Sequence, residues 1–256
     1  MKISVVVLTK NEEENIKECL KSVRQLADEI IVIDDHSQDQ TREIAKENGA
    51  KVFIRSLSND FSNQRNFGLK KAKGDWILFV DADERVTKSL AVEIKSWIGE
   101  VGPGSDLSYD GFNVRRKDFV FGKWLKNGES GKIKLLRLGK KSAGLWKKPV
   151  HEVWDIGGVI KEFDSPLLHY PHPTVSEFLT KINEYSTLRA QELYKKGKRV
   201  NFLEVIGYPL LKFFKNLFWH LGFLDGLPGF LHAIFMSFHS FLVRGKLWCF
   251  SMKGTK

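Results

Sequence analysis

Two carboxylates placed two residues apart are the sharpest chemical feature of this sequence. Asp81 and Asp83, within the run DADE, come directly after the apolar stretch WILFV at residues 76–80. In an extended segment residues i and i+2 project to the same side, so both carboxylates can face one ligand. A hard divalent cation that bridges diphosphate oxygens takes one or two carboxylates and keeps several waters. The pair predicts a cation-assisted diphosphate site, with a solvated acidic loop as the alternative.

A second acidic cluster follows another apolar run, EIIVI at residues 29–33. Asp34 and Asp35 end this run, and Ser37 and Asp39 follow shortly after. Carboxylates at the end of a strand can accept hydrogen bonds from the base or the ribose of a nucleotide. Ser37 or Asp39 would also cap the next helix well. Both roles are compatible, with Asp34 or Asp35 on a ligand and a later residue capping.

Polar and basic residues also stand at the ends of other predicted strands and helices. Thr9, Lys10 and Asn11 follow the first apolar run, and Arg65 with Asn66 lies near the start of a later helix. The guanidinium of Arg65 suits a diphosphate. The sequence contains neither GxGxxG nor GxxxxGK[ST], which argues against hydride transfer with a nicotinamide cofactor and against P-loop hydrolysis.

Alternating strands and helices must position these residues. The first 100 residues predict an α/β fold with a mainly parallel sheet covered on both faces, in which the loops after the strands meet at one edge. Residues 110–161 predict further strands and loops with a more antiparallel arrangement. The expected strands are 3–8, 29–33, 51–55 and 76–80, and the expected helices are 12–26, 41–48 and 63–73.

The C-terminal part has a different composition. An amphipathic helix is expected over residues 176–196, and residues 201–256 contain 13 of the 31 aromatic residues. Residues 227–243 carry no formal charge, but Pro228, Gly229 and several polar side chains interrupt them. Basic residues border the aromatic ones, which favours helices lying in the interface of a cytoplasmic membrane. A helical hairpin packed on the main domain and a dimer interface are the alternatives.

Composition limits the compartment and the partners. The chain has 256 residues and a formal net charge of +10, which favours partners that carry phosphate. Its two cysteines are too few for a disulfide framework or a cysteine-based metal site. The N-terminal residues lack the length and cleavage site of a signal peptide. We therefore expect a cytoplasmic protein.

Several linked motifs resemble family 2 glycosyltransferases of the GT-A fold. They are SVVVLTKNEEENIKECLKSV, IVIDDHSQDQT and NQRNFGLKKAKGDWILFVDADERV, and they cover roughly the first 100 residues. The later PVHEVW and LGFLDGLPGF are similar to the bacterial branch that adds sugars to the lipopolysaccharide core. The resemblance implies a glycosyltransferase domain at 1–175, with a nucleotide-sugar half at 1–100 and an acceptor half at 101–175. A helical, basic and aromatic region follows at 176–256.

The resemblance also implies the ligands of the site. The donor would be a nucleotide-diphosphate sugar, with UDP-sugars favoured, and Asp83 would hold Mn²⁺ or Mg²⁺ on its diphosphate. His169, in LLHYPH, is a further candidate metal ligand. The residues implied for nucleotide-sugar binding are Thr9, Asn11, Asp34 or Asp35, Arg65 and Asp81.

An inverting enzyme of this family needs a base that deprotonates the acceptor hydroxyl, and a carboxylate is the usual one. Our candidate is Glu152, with His151 as the residue that would orient it. The alternative for Glu152 is an ion pair with Lys147 or Lys148. The competing carboxylates are Asp110, Asp118 and Asp155.

The expected function is transfer of a hexose to a hydroxyl of a lipid-linked glycan such as the lipopolysaccharide core. The enzyme would lie peripherally on the inner face of the cytoplasmic membrane. The first alternative is a polyprenyl-phosphate sugar synthase, whose phosphate acceptor needs little help from a base. An alternative from another class is a nucleic-acid-binding protein, suggested by the net charge and by runs such as KFFK at residues 212–215. Because the acidic residues collect at strand ends, we expect no nucleic acid as a partner.

Overall fold

A computed structural model of the chain describes residues 1–100, 109–149, 152–171 and 174–253. The contacts divide the chain into two compact units. The first comprises residues 1–116 and 134–169, and the second comprises residues 117–133 and 170–256. The described strands are β1 (Ile3–Thr9), β2 (Glu29–Asp34), β3 (Lys51–Ile54), β4 (Trp76–Asp81), β5 (Glu84–Val86), β6 (Gly111–Val120), β7 (Lys123–Trp124), β8 (Lys134–Lys140), β9 (Gly144–Lys147), β10 (Val153–Ile156), β11 (Ile160–Glu162) and β12 (Leu167–His169). The described α-helices are α1 (Glu13–Val23), α2 (Thr41–Glu47), α3 (Phe61–Lys71), α4 (Lys88–Glu100), α5 (Val175–Lys195), α6 (Phe202–Phe214) and α7 (Leu227–Lys253).

The first unit is built on four parallel strands in the order β3-β2-β1-β4. Strands β1 and β4 are apolar and buried, as strands of a sheet covered on both faces must be. Helix α1 turns Ile16, Cys19, Leu20 and Val23 into the core, which is the face that the helical spacing predicts. The predicted α/β arrangement is confirmed over this part of the chain.

Antiparallel strands extend this sheet. Strand β8 runs antiparallel to both β4 and β6, and β12 runs antiparallel to β5. Strands β9 and β10 form a separate antiparallel pair. The sheet is therefore mixed, with a parallel half at the N-terminus and a more antiparallel half after it, as the sequence predicts.

A close approach of helix to sheet requires glycine in α3. A Cβ atom built on Gly68 would lie 2.5 Å from Cγ1 of Val6 on β1. Asp60 caps the same helix, since its side chain accepts a hydrogen bond from the backbone N–H of Asn63 at 2.9 Å. This packing holds α3 tightly against the sheet.

The second unit consists mainly of α5, α6 and α7. Lys246 on α7 joins α5, because its Nζ donates to the backbone and side-chain oxygens of Asn183 at 2.6 and 2.7 Å. Buried Asp225 accepts hydrogen bonds from the backbone N–H groups of Lys126 and Asn127 at 3.0 and 2.8 Å. Residues 117–133 thus pack with the C-terminal helices, a grouping that the sequence does not predict. The boundary expected at residue 175 stays a prediction.

Within the ranges that the structure describes, no helix is both long enough and apolar enough to cross a membrane. The two cysteines are both free, with Cys19 buried in the first unit and Cys249 exposed on α7.

Candidate active site

The carboxyl ends of the parallel strands bring the polar residues of the first unit to one edge. In the register of the sheet, Thr9 lies beside Asp34 on the neighbouring strand, and Leu8 lies beside Asp81. The candidate residues from three separate loops therefore meet there, which is the usual place for a ligand in an open α/β sheet.

Asp81 is held between two arginines. It accepts hydrogen bonds from Nη2 of Arg137 at 2.6 Å and from Nη2 of Arg65 at 3.0 Å. Burial alone would raise the pKa of Asp81, but the guanidiniums of Arg137 and Arg65 outweigh it and hold that pKa well below its usual value. Asp81 is therefore an anion at any physiological pH, oriented by two cations.

Arg65 is a rigid link within the site. Its side chain is only 4% exposed, and its Nε donates to Oε1 of Glu152 at 2.9 Å. The guanidinium lies over the ring of Trp146, 4.8 Å from the ring centroid. Asn66 fixes that tryptophan by exchanging two hydrogen bonds of 2.9 Å with its backbone. Among the described residues nothing satisfies the buried Nη1 of Arg65, which leaves its two N–H groups for a ligand.

Of the four candidate carboxylates for the base, Glu152 joins the cluster of Arg65 and Asp81. The alternative ion pair with Lys147 is wrong, because Lys147 pairs with Asp155 instead. Asp110 is bound by Nζ of Lys140 at 3.1 Å, away from the cluster. Asp118 belongs to the second unit. The predicted partner His151 lies outside the described residues.

Asp83 projects toward a different partner. Strand β12 pairs with β5 so that His169 stands opposite Glu84, and Nε2 of His169 lies 3.3 Å from Oδ2 of Asp83. In the part of the chain that the structure describes, no group of three or more His, Cys, Asp or Glu side chains could hold a metal ion. One carboxylate and one imidazole fit a divalent cation that takes its remaining ligands from a diphosphate and from water.

The two aspartates at the end of β2, Asp34 and Asp35, have separate surroundings. Asp34 is completely buried and accepts hydrogen bonds from both the backbone N–H and the hydroxyl of Ser37. It holds the turn that follows β2, a role that the sequence does not predict. Asp35 keeps a 13% exposed side chain and is bound by Nζ of Lys10 and by the N–H of Leu57. Of the two, Asp35 is the better placed for a ligand.

The remaining nucleotide candidates tie the loops together. Asn11 has a φ of 53°, its N–H donates to Ser37 Oγ at 2.9 Å, and its Oδ1 accepts from the N–H of Gln38. The buried Oγ1 of Thr9 has no hydrogen-bond partner within the described ranges. Helix α2 begins after Gln40, whose own side chain does not cap it, and Ser37 hydrogen-bonds to Asp34 instead of to the helix. Asp39 nevertheless accepts from the N–H of Thr41 at 3.1 Å.

Sequence reasoning missed Arg137 and the role of Glu84. Arg137 is a single charged residue within the apolar stretch LLRL of β8, and it is 4% exposed. A charge inside such a stretch signals a buried partner, but the sequence alone does not say which strand supplies it.

Residues 4–142 match the Glycosyl transferase family 2 model. The chain belongs to this family. The prediction of a family 2 glycosyltransferase is thereby confirmed. Among curated relatives, the chain is 29% identical over 267 residues to an uncharacterized glycosyltransferase of Rickettsia conorii, covering 98% of this chain and 92% of the relative. It is also 29% identical over 258 residues to the lipopolysaccharide core biosynthesis glycosyltransferase LpsC of Rhizobium meliloti, covering 96% of this chain and 92% of LpsC.

Solved structures show the fold of this glycosyltransferase. Residues 1–349 of S. aureus TarS, in complex with UDP-GlcNAc, superimpose with a TM-score of 0.51 at 16% identity, covering 99% of this chain and 92% of that one. Glucosyl-3-phosphoglycerate synthase of Mycobacterium tuberculosis, in complex with Mn²⁺, UDP and glucosyl-3-phosphoglycerate, gives 0.50 at 16% identity, covering 78% and 81%. The predicted GT-A fold is confirmed.

Proposed function

We propose that this family 2 glycosyltransferase moves a hexose from a nucleotide-diphosphate sugar to a hydroxyl of a lipid-linked glycan such as the lipopolysaccharide core, with inversion at the anomeric carbon. The meeting of Arg65, Asp81 and Glu152 at the carboxyl edge of the parallel strands carries the proposal. Similarity to LpsC supports the lipopolysaccharide core, and the UDP-GlcNAc of TarS supports a UDP-sugar donor.

The nucleotide end of the donor is assigned to the residues along the strand ends. Arg65 offers its unsatisfied Nη1 to a phosphate oxygen, and Asp81 and Asp35 accept from ribose or base. Thr9 and Asn11 line the same edge, and Asp34 supports it from inside the turn. These groups are pre-ordered by their own contacts, so little conformational entropy is lost when the donor binds.

Glu152 is assigned as the base. Its Oε1 is held by Arg65, which leaves Oε2 for the acceptor hydroxyl. As the hydroxyl oxygen bonds to the anomeric carbon, its proton passes to Glu152. The bond from that carbon to the donor phosphate breaks on the opposite side, and its electron pair leaves with the nucleoside diphosphate. Attack opposite the leaving group inverts the configuration.

Asp83 and His169 are assigned to a divalent cation, Mn²⁺ or Mg²⁺. When bound, such an ion stabilises the negative charge of the departing diphosphate. The Mn²⁺ of the mycobacterial synthase supports the assignment. The carboxylate of Asp83 lies 3.3 Å from Nε2 of His169, whereas that of Asp81 is bound by Arg65 and Arg137, so nucleotide and metal are assigned to separate residues.

A panel of UDP-, GDP- and dTDP-sugars tests the donor and the metal together. Binding is measured by calorimetry and hydrolysis by release of nucleoside diphosphate, with Mn²⁺ or Mg²⁺ and with a chelator. We expect one class of donor to bind and to turn over only with metal. Asp83→Asn should remove turnover, while Asp155→Asn, whose carboxylate binds Lys147 on the surface, should leave it intact. A folded protein that binds no member of the panel would refute the proposal.

The lipid-linked acceptor is proposed from the surface of the second unit. Many large apolar side chains on and between α6 and α7 are exposed, with Trp219 at 79% and Leu203 at 77% the most exposed of them. Exposed apolar surface of this extent is typical of membrane or protein contacts. With basic residues beside it and a net charge of +10, it favours an anionic membrane surface. The exposed members include Phe202, Leu203, Leu210, Leu211, Phe214, Phe218, Trp219, Leu224 and Leu227.

Vesicle sedimentation tests the membrane proposal. We expect the protein to bind vesicles that contain phosphatidylglycerol, to bind pure phosphatidylcholine less, and to lose binding when Leu203 and Trp219 are both changed to Gln. The matched control changes Val92 and Leu145, which are 69% and 59% exposed on the first unit, to Gln. Equal binding by both double variants would contradict the role of this surface. Such contact would place the enzyme peripherally on the inner face of the cytoplasmic membrane.

A further inference from the structure

Arg137 occupies the centre of the charged cluster, although none of the motifs quoted from the sequence includes it. Its Nη2 donates both to Oδ2 of Asp81 at 2.6 Å and to Oε1 of Glu84 at 2.7 Å. It comes from β8, the strand that runs antiparallel to β4 with Leu138 opposite Leu78. A neighbouring strand therefore supplies the cation that holds the end of β4.

Glu84 completes the arrangement. It is fully buried, and its Oε2 accepts a hydrogen bond from the backbone N–H of Asp81 at 2.9 Å. Asp81 is thus held twice, through its backbone by Glu84 and through its carboxylate by Arg137. Because Arg137 also donates to Glu84, the three side chains form one connected cluster.

Stability is a weak reason for such a cluster. A buried ion pair is costly to desolvate, and apolar side chains of the same volume often stabilise a fold as well or better. The side chain of Arg137 is 5% exposed and that of Glu84 is 0% exposed, so both charges bear that cost. The side chain of Asp81, in contrast, is 30% exposed and reachable by a ligand. The two buried charges of Arg137 and Glu84 therefore serve to orient one accessible carboxylate, that of Asp81.

We propose that Arg137 is a positioning residue for the donor, because it sets the direction in which the carboxylate of Asp81 faces the nucleotide. The inference rests on the proposed function, in which Asp81 binds the nucleotide part of the donor. Without Arg137, Asp81 keeps Arg65 as its cation, and Arg65 also serves Glu152. The carboxylate then turns toward Arg65 and is no longer pre-ordered for the donor.

The test compares dissociation constants for UDP, measured by calorimetry in the presence of Mn²⁺. R137M leaves the buried Glu84 with only Arg116, 4.0 Å away, as a cation and can prevent folding, so the double variant R137M/E84Q removes both charges together. The proposal expects the double variant to melt near the wild-type temperature and to bind UDP about tenfold more weakly, equivalent to about 1.4 kcal/mol. R137K should bind UDP with an affinity between those of the wild-type protein and the double variant. R115M is the matched control, because Arg115 is a largely exposed arginine that pairs with Glu162.

The outcomes separate this inference from the proposed function. If the wild-type protein binds UDP and R137M/E84Q binds it equally well, Arg137 only neutralises Glu84 and the inference is overturned. If the double variant does not fold, R137K decides, since wild-type affinity in R137K overturns the inference and a raised dissociation constant supports it. If the wild-type protein binds neither UDP nor another nucleoside diphosphate, the proposed function itself fails and this inference fails with it.

Discussion

Replacing Glu152 by Gln tests the chemical step most directly. The amide has the same shape, and its carbonyl oxygen still accepts the 2.9 Å hydrogen bond from Nε of Arg65. The change removes the negative charge and the basicity of residue 152 but leaves the guanidinium of Arg65 over the ring of Trp146. The donor should therefore bind about as tightly as before.

The expected loss appears in kcat. Proton transfer by a positioned side chain contributes about 10²- to 10⁴-fold, and each tenfold is about 1.36 kcal/mol. Glu152→Gln should therefore raise the barrier by about 3–5 kcal/mol. The weaker hydrogen bond to Arg65 should lower the free energy of unfolding by only about 1 kcal/mol, since charge-assisted bonds exceed neutral ones by roughly that amount.

The assay measures initial rates with the preferred donor and a hydroxyl acceptor, together with calorimetric binding of the donor. Asp155→Asn is the control, because Asp155 lies on β10 close in sequence and binds Lys147 on the surface. A Glu152→Gln variant that keeps the wild-type rate refutes the assignment of the base. It would favour the alternative in which the acceptor is a phosphate, as in a polyprenyl-phosphate sugar synthase.

Three further predictions concern stability and are checked by urea unfolding. Burial lowers the pKa of His232, so the folded protein keeps this imidazole neutral while the unfolded chain takes up a proton below its ordinary pKa of about 6.5. The free energy of unfolding should fall as the pH drops through that value, and His232→Gln should reduce this dependence; an unchanged dependence would contradict the assignment. Gly74→Ala should cost about 1–3 kcal/mol, because its Cβ would lie 2.6 Å from the backbone nitrogen of Ser4. Gly99→Ala, with nothing within 4 Å, is its control, and equal stability of the two would refute the steric argument. Asp60→Ala should cost about 1 kcal/mol through loss of the cap of α3, and no loss would show that the cap contributes nothing.

The parallel half of the sheet could be predicted because its signals are local. Each apolar run is followed by a polar turn and a helical pattern, and the carboxyl edge follows from the handedness of the connections. This is why Thr9, Asp34, Arg65 and Asp81 were expected at one edge and why the structure brings them there.

The contacts that orient the site could not be predicted, because they join residues far apart in sequence. Arg65 reaches Glu152 across 87 positions, and Arg137 reaches Asp81 across 56. Nothing in the stretch LLRL says which strand lies beside it. The packing of residues 117–133 with the C-terminal helices depends in the same way on Asp225, about 98 positions from Asn127.

The burial of one cysteine gives the protein a practical property. The Sγ of Cys19 lies 3.5 Å from the backbone carbonyl oxygen of Asp81, inside the core, and burial raises the pKa of this thiol far above its usual value. A thiol that does not ionise and that no reagent reaches does not react. Cys249 is exposed on α7, so maleimide or iodoacetamide dyes should modify the native protein at this position alone. A fluorophore placed there would sit on a helix of the exposed apolar surface and would report its occupancy without any engineered cysteine.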